Sequence, residues 1–374
     1  MQMLPPVALR MIELCEIPSP SRDEGAVAAA IVPQLTALGA EISEDGAAAA
    51  IGAGCNNITA RFAPTVDGGT PIAFVAHLDT VPPTDRIEVE LVDGALTNRH
   101  PTILGADDKA AVAAFVTAIE TVIGEGRPHA GIELVLTPCE EIGLLGAAEL
   151  DPATLAARMA IVYDHTGSIG RVVQSSPSLS SIEATFVGRP AHAGIVPENG
   201  RSALLAASRA ITAMPHGRIG AETTANVGTV SGGTATNVVA ERCHVTAEAR
   251  SRSERALASQ LTAMLDALTW GASESDVDLE TRVDRVFTGY ALDPQAPQVR
   301  LAQRALERCG HTPELVPSGG GSDVNALIAN GLPAVNLCNG MQAVHTDEER
   351  IAVEDLVAMV DVTLAIVDEA RAAW

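Results

Sequence analysis

Three stretches, "PIAFVAH" (71–77), "GIELVLT" (131–137) and "MAIVYD" (159–164), are almost continuous apolar runs. A strand exposed on one face alternates apolar and polar residues. A run without alternation is a strand buried on both faces, the usual condition of a parallel sheet covered by helices. A further strand is expected at 333–338. The helices that go with these strands are expected at 6–15, from about 108 to Gly124 or Gly126, at 295–308 and from about 352. Another opens after "SRDE" (21–24), where Ser21 and Glu24 have the spacing of a capping box, and stops at Gly39.

The pattern changes near residue 180. "SSIEATFVG" alternates, and after it the order is helix (200–214), strands (224–230 and 241–250), helix (253–270) and strand (276–286). That is the β-α-β-β-α-β order of a ferredoxin-like split unit. The expected architecture is therefore α/β. A mostly parallel α/β domain, residues 1–179 and 289–374, is interrupted by an α+β insertion at 180–288.

Composition excludes several classes of function. Among 374 residues, 47% are hydrophobic and 19% charged, enough for a sizeable core. The net charge of −23 repels nucleic acid and anionic membranes. Six scattered cysteines without a C-x-x-C pair read as reduced thiols. The amino terminus lacks the basic and apolar regions of a signal peptide, and no stretch is apolar enough to span a bilayer. A cytoplasmic protein is expected.

Chemistry gathers at the ends of the apolar runs. "VAHLDTVPP" puts His77 and Asp79 on one face at a strand terminus. "LGADDKAA" puts Asp107 and Asp108 at a helix start. "TPCEEIG" carries Glu140 and Glu141, "VYDHTG" carries Asp164, and "AVHTDEE" carries His345. Taken singly, these are ordinary: acids favour helix amino termini, and polar residues line strand rims. Together they sit at the carboxyl ends of strands, where open α/β sheets bind ligands. Two histidines and three carboxylates (His77, Asp107, Glu141, Asp164, His345) suit zinc, with cobalt or manganese as substitutes. Two divalent ions exceed three carboxylates by one positive charge, which a bridging hydroxide would neutralise. Asp79 would orient the His77 ring.

In this order, "AHLDTVPP", "LGADDKAA", "TPCEEIG", "YDHTG" and "AVHTDEE" resemble the di-zinc metallopeptidases that include peptidase T, aminoacylase, bacterial glutamate carboxypeptidase and succinyl-diaminopimelate desuccinylase. "GRPAHAG", "ETTANVGTVSGGTATNVV" and "AEARSRSE" look most like the peptidase T-like branch. The resemblance spans essentially the whole chain. It implies that His77 and Asp164 bind one zinc, Glu141 and His345 the other, and that Asp107 bridges both. It also implies a cis bond between Asp107 and Asp108, and Glu140 as general base. By the same resemblance His192 would stabilise the oxyanion, in its own or a neighbouring subunit's site. Asn237 and Arg250 would bind the peptide backbone or carboxylate, and "GGGSD", with Ser322, would approach the substrate.

The implied activity is exopeptidase action on short peptides, as a tripeptide aminopeptidase in a homodimer paired through the insertion. Three other readings compete: an N-acyl amino acid amidohydrolase with the same chemistry, a metal-binding protein without catalysis, and a cysteine hydrolase built on Cys139. Loss of Glu140 would mark the second, and Glu140 is present. The acids beside Cys139 argue against the third, because they raise a thiol pKa.

Overall fold

The computed structural model describes residues 4–372. The chain divides into two compact units. One comprises Met1–Ser175, Ala291–Ser318 and Ser322–Trp374, and the other Ser176–Tyr290 with Gly319–Gly321. Residues 1–3 and 373–374, at the two ends of the expected α/β domain, lie outside the described residues.

The sheet of the first unit runs in the order Glu41–Glu44, Ile58–Phe62, Ile132–Thr137, Ile72–His77, Met159–Val162, Ala334–Leu337, Arg171–Ser176. Its four central strands, from Ile132–Thr137 to Ala334–Leu337, are parallel to one another, and every residue in them is buried. The flanking pairs are antiparallel. The class is α/β with a mostly parallel centre. All four central strands point their carboxyl ends the same way, so the segments that leave them converge.

The Ala106–Gly124 helix buries most of its residues, and its first two acids, Asp107 and Asp108, have non-helical backbone. Regular helix therefore begins at Lys109, and the two acids belong to the entry turn. Their peptide bond is cis. Phe115 of this helix lies between Phe74 of a central strand and Tyr163, with ring centroids 4.8 and 5.0 Å apart. The Tyr163 hydroxyl accepts from the Thr363 hydroxyl at 3.2 Å. This short aromatic column fastens the helix to the segment that carries Asp164, just after the Met159–Val162 strand.

The expected capping box at Ser21 and Glu24 takes another form. The helix starts at Gly25 with Glu24 as its N-cap. Ser21 Oγ donates to Asp79 at 2.7 Å, and Glu24 accepts from the backbone N–H groups of Arg22, Gly54 and Cys139. Both side chains serve long-range partners and are unavailable to the helix end. A three-stranded sheet of Val89–Val92, Ala95–Asn98 and Arg350–Ala352 was not expected from the sequence.

In the second unit the strands Thr223–Gly232, Arg242–Ser251, Ser178–Val187 and Asp278–Phe287 pair antiparallel in that order. This is the ferredoxin-like arrangement. Its helices, Ala203–Ala213 and Glu254–Ser273, are capped by Ser202 and Ser253, whose hydroxyls accept from Leu205 N and Ala256 N. Small residues on the first helix, Ala203, Ala206, Ala207 and Ala210, share a core with Ile182, Ala184 and Phe186 of the sheet.

Among the described residues no helix is long and apolar enough to cross a membrane.

Phe115→Ala should remove the middle ring of the aromatic column and leave a cavity between strand and helix. Denaturant unfolding should show a loss of about 3–5 kcal/mol. A loss below about 1 kcal/mol would mean that the column does not hold the helix to the sheet.

Candidate metal centre

His77 ends a central strand, and its ring is buried. Its Nε2 lies 3.3 Å from Asp107 Oδ1 and 4.0 Å from Glu140 Oε2. His345 Nε2 lies 3.0 Å from Glu141 Oε1 and 3.4 Å from Asp107 Oδ2. Asp107 therefore turns one oxygen toward each histidine. Donor atoms of His77, Asp107 and Asp164 lie within 4.8 Å of one another, as do those of Asp107, Glu141 and His345. These are two overlapping triads that share one carboxylate, suited to two ions.

The donor chemistry fits divalent metal. Asp164 Oδ2 is buried and has no hydrogen-bond partner. Its backbone, in contrast, is fixed on both sides by Asn336, which accepts from Asp164 N at 2.8 Å and donates to Asp164 O at 2.7 Å. A buried carboxylate oxygen held in place without a proton donor is costly unless a cation meets it.

Without ions, protons carry the compensating charge. Hydrogen bonds to Asp107 and Glu141 push His345 up to about 10. Burial opposes charge on His77, yet its hydrogen bonds to Asp107 and Asp79 outweigh that and raise its pKa. Burial likewise pushes Asp107 up, but the two histidines outweigh it and hold the carboxyl well below its usual range. Glu140 is raised by burial and by Asp164, and Asp164 by burial and by Asp107.

Asp79 meets the His77 ring with its backbone carbonyl as well as its carboxylate. The shortest hydrogen bond of His77 Nδ1 is to the Asp79 backbone carbonyl, at 2.9 Å, and the carboxylate is 3.5 Å away. The carboxylate is occupied elsewhere: it accepts from Glu140 N at 2.9 Å, Glu141 N at 3.2 Å and Ser21 Oγ. Asp79 thus sets the backbone of both glutamates, while its carbonyl sets the ring. Gly146 lies against the same turn, and a Cβ there would sit 2.3 Å from the Pro138 carbonyl. Cys139 is buried, and burial together with its hydrogen bond to Glu24 pushes the thiol up to about 12. It is protonated at neutral pH, which removes the cysteine hydrolase reading.

The remaining sequence candidates are placed as follows. Ser322 is nearly buried and caps the Asp323–Ala329 helix in a capping box with Asn325. In the second unit, His192 lies on an exposed turn where its Nδ1 accepts from Gly194 N at 3.1 Å. Asn237 is its neighbour, its carbonyl accepting from Ala193 N at 2.9 Å. The guanidinium of Arg250 is forked onto Glu248 at 2.8 and 3.0 Å.

Three buried positions escaped sequence reasoning. Asn336 pins Asp164. Asp323 accepts from Thr137 Oγ1 at 2.5 Å, and burial pushes it up to about 6. Glu349 accepts from four consecutive backbone N–H groups, Leu104 to Asp107, at 2.8–3.3 Å. In the sequence Glu349 cannot be told from its exposed neighbours Asp347 and Glu348, because only the distant turn at Leu104–Asp107 gives it a role.

Residues 73–369 match the model of the peptidase family M20/M25/M40. The chain belongs to this family. It is a hydrolase of the peptidase class. An uncharacterized protein of Bacillus subtilis, YqjE, is 35% identical over 359 residues, 96% of each chain. Among solved structures, aminopeptidase PepT from Bacillus cereus is 36% identical with a TM-score of 0.84, covering 99% of this chain and 100% of that one. A tripeptidase from Staphylococcus aureus is 32% identical with a TM-score of 0.90 and the same coverage.

The proton inventory of the family member's centre gives a pH dependence. An ion competes with the protons on His77 and His345, so apparent affinity should rise with pH from about 6 to 9. Zinc titration of metal-free protein near pH 7.5, by calorimetry in buffers of different ionisation enthalpy, should show proton release. Equal heats in all buffers would contradict the protonated histidines.

Proposed function

We propose that this protein is a two-metal exopeptidase that removes the amino-terminal residue of short peptides, tripeptides foremost. The observation that carries the reading is Asp107, with one oxygen toward each histidine at the meeting point of two triads. The similarity to an aminopeptidase and a tripeptidase along nearly the whole chain supports the substrate class.

His77 and Asp164 would hold one ion, Glu141 and His345 the other, and Asp107 both. Imidazole and carboxylate donors favour zinc. When bound, the ions supply Lewis acidity to the scissile carbonyl and to the attacking water. Glu140 belongs to neither triad and lies 4.0 Å from His77 Nε2, and burial raises its pKa, which suits a group that exchanges protons. It takes the proton of the attacking water and delivers it to the leaving amine. Asp79 keeps Glu140 and Glu141 at fixed separation through their amides.

By family likeness we assign His192 to the oxyanion, Asn237 and Arg250 to the peptide backbone or carboxylate, and Ser322 to the substrate approach. For Arg250, a substrate carboxylate would take the place of Glu248 on the guanidinium fork. We place the enzyme in the cytoplasm, where its cysteines, unpaired among the described residues, stay reduced. We assign the Ser176–Tyr290 unit to a lid that also pairs copies of the chain into a homodimer.

The deciding experiment is hydrolysis by zinc-loaded protein of di-, tri- and tetrapeptides, free and amino-terminally blocked, beside N-acyl amino acids. Free tripeptides should be cleaved fastest, with release of the first residue. Cleavage of N-acyl amino acids with free tripeptides left intact would replace this reading with an amidohydrolase.

The two adjacent glutamates should separate by role. Glu140→Gln keeps size and removes basicity, so both ions should remain while kcat falls about 10²–10⁴-fold. Glu141→Gln should weaken one ion, because an amide is a poorer ligand than a carboxylate. Metal content and kcat measured in one buffer decide it. Loss of metal from Glu140→Gln with full retention by Glu141→Gln would exchange the two assignments.

A further inference from the structure

We propose that Glu349 is the positioning residue of the metal centre, acting through the backbone that carries Asp107. The inference rests on the two-metal reading above. Its physical basis is an anion nest. Gly105 adopts a left-handed backbone, φ 74°, which lets successive N–H groups converge on one point. Leu104 N and Gly105 N reach Glu349 Oε2 at 2.9 and 3.0 Å. Ala106 N and Asp107 N reach Oε1 at 2.8 and 3.3 Å. The carboxylate is 2% exposed, so water does not compete for these donors.

The source of the carboxylate matters as much as its contacts. Glu349 closes the loop that carries His345, four residues earlier. That loop is tied internally by Thr346 N to Ala343 O and Glu349 N to Thr346 O, both 3.3 Å. One short loop therefore supplies a ligand side chain to the second triad and clamps the backbone of the ligand shared by both. Asp107 must face two histidines at once, and a turn free to shift by even an ångström would lose one of them. Four amides bonded to one buried carboxyl group restrain that turn at four successive residues. Glu349 touches no reacting atom, and its effect passes through Asp107 and His345.

A positioning role differs from a merely structural one in where the damage appears. The test compares parent, Glu349→Gln and Glu349→Ala in the full chain. In metal-free protein the amides of 104–107 should exchange faster in both variants, while those of Ile132–Thr137 keep parental protection. Zinc affinity should fall about 10–100-fold. On a tripeptide the zinc-loaded variants should lose kcat with KM nearly unchanged. Glu349→Ala leaves the nest open, so added formate should restore both protection and zinc affinity. Glu349→Gln fills the space, so formate should do nothing there.

The proposal is overturned if folded Glu349→Gln keeps parental zinc affinity and parental protection at 104–107. It is equally overturned if Glu349→Ala loosens strands and nest alike and formate restores neither. Should the alanine variant not fold, the glutamine variant decides. Absence of peptide hydrolysis in the parent would remove the peptidase reading, while amide exchange and zinc binding would still judge Glu349.

Discussion

Asp107 faces His77 with one oxygen and His345 with the other, and the rest of the first unit is arranged so that this can happen. The two histidines come from opposite ends of the chain. Bringing them to one carboxylate requires the strands ending at His77 and Leu337 to run the same way in the same sheet, as they do. It also places several acids where water is scarce. Burial pushes Asp108, Glu140 and Asp164 toward protonation, whereas it opposes charge on the histidines, which the surrounding acids favour. Such a cluster is close to neutral with protons on it and close to neutral with metal on it, and it is unfavourable with neither.

The parts of this architecture legible in the sequence are those governed by period and position. The central strands were visible because burial on both faces leaves continuous apolar runs, and the helix after Asp108 because its Ala-rich run has clear limits. Ser178–Val187 was visible through the alternation in "SSIEATFVG". Glu41–Glu44 was not: as an edge strand with three exposed residues of four, it carries no apolar signal. The Val89–Val92 and Ala95–Asn98 hairpin was missed because its short strands are mixed in polarity and only Leu96 and Asn98 are buried.

At the centre, the residues read from strand ends are those the fold brings together: His77, Asp107, Glu140, Glu141, Asp164 and His345. What could not be read is how each is held. Ser21 and Glu24 have the spacing of a local cap but bond to Asp79, Gly54 and Cys139. Asn336 and Glu349 have no local pattern at all, since their partners lie 172 and 242–245 residues away. Periodicity reports which face of an element is buried. It carries no information about long-range pairing of single polar side chains.

The buried acids divide by what their oxygens meet, and the division follows from the limited number of lone pairs. Asp79, Glu24, Glu133 and Glu349 are each surrounded by N–H donors. Glu133, for example, takes Arg61 Nε at 2.6 Å and two backbone amides at 2.8 and 3.1 Å. Their lone pairs are spent on holding backbone, so they are poor candidates for ions. Asp164 has its backbone fixed and a carboxylate oxygen left without a donor, the complementary arrangement. Asp108 is the limiting case. Both of its oxygens are buried without a hydrogen-bond partner, and it belongs to neither triad. Burial is the largest influence on it, with Asp107 and Glu140 adding repulsion, and its pKa rises well above the usual range. The charge of His77 opposes this rise without overcoming it, because a buried carboxyl without a hydrogen-bond donor favours its proton. Burial thus favours the proton on Asp108, while the two histidines favour the charged form of its neighbour Asp107.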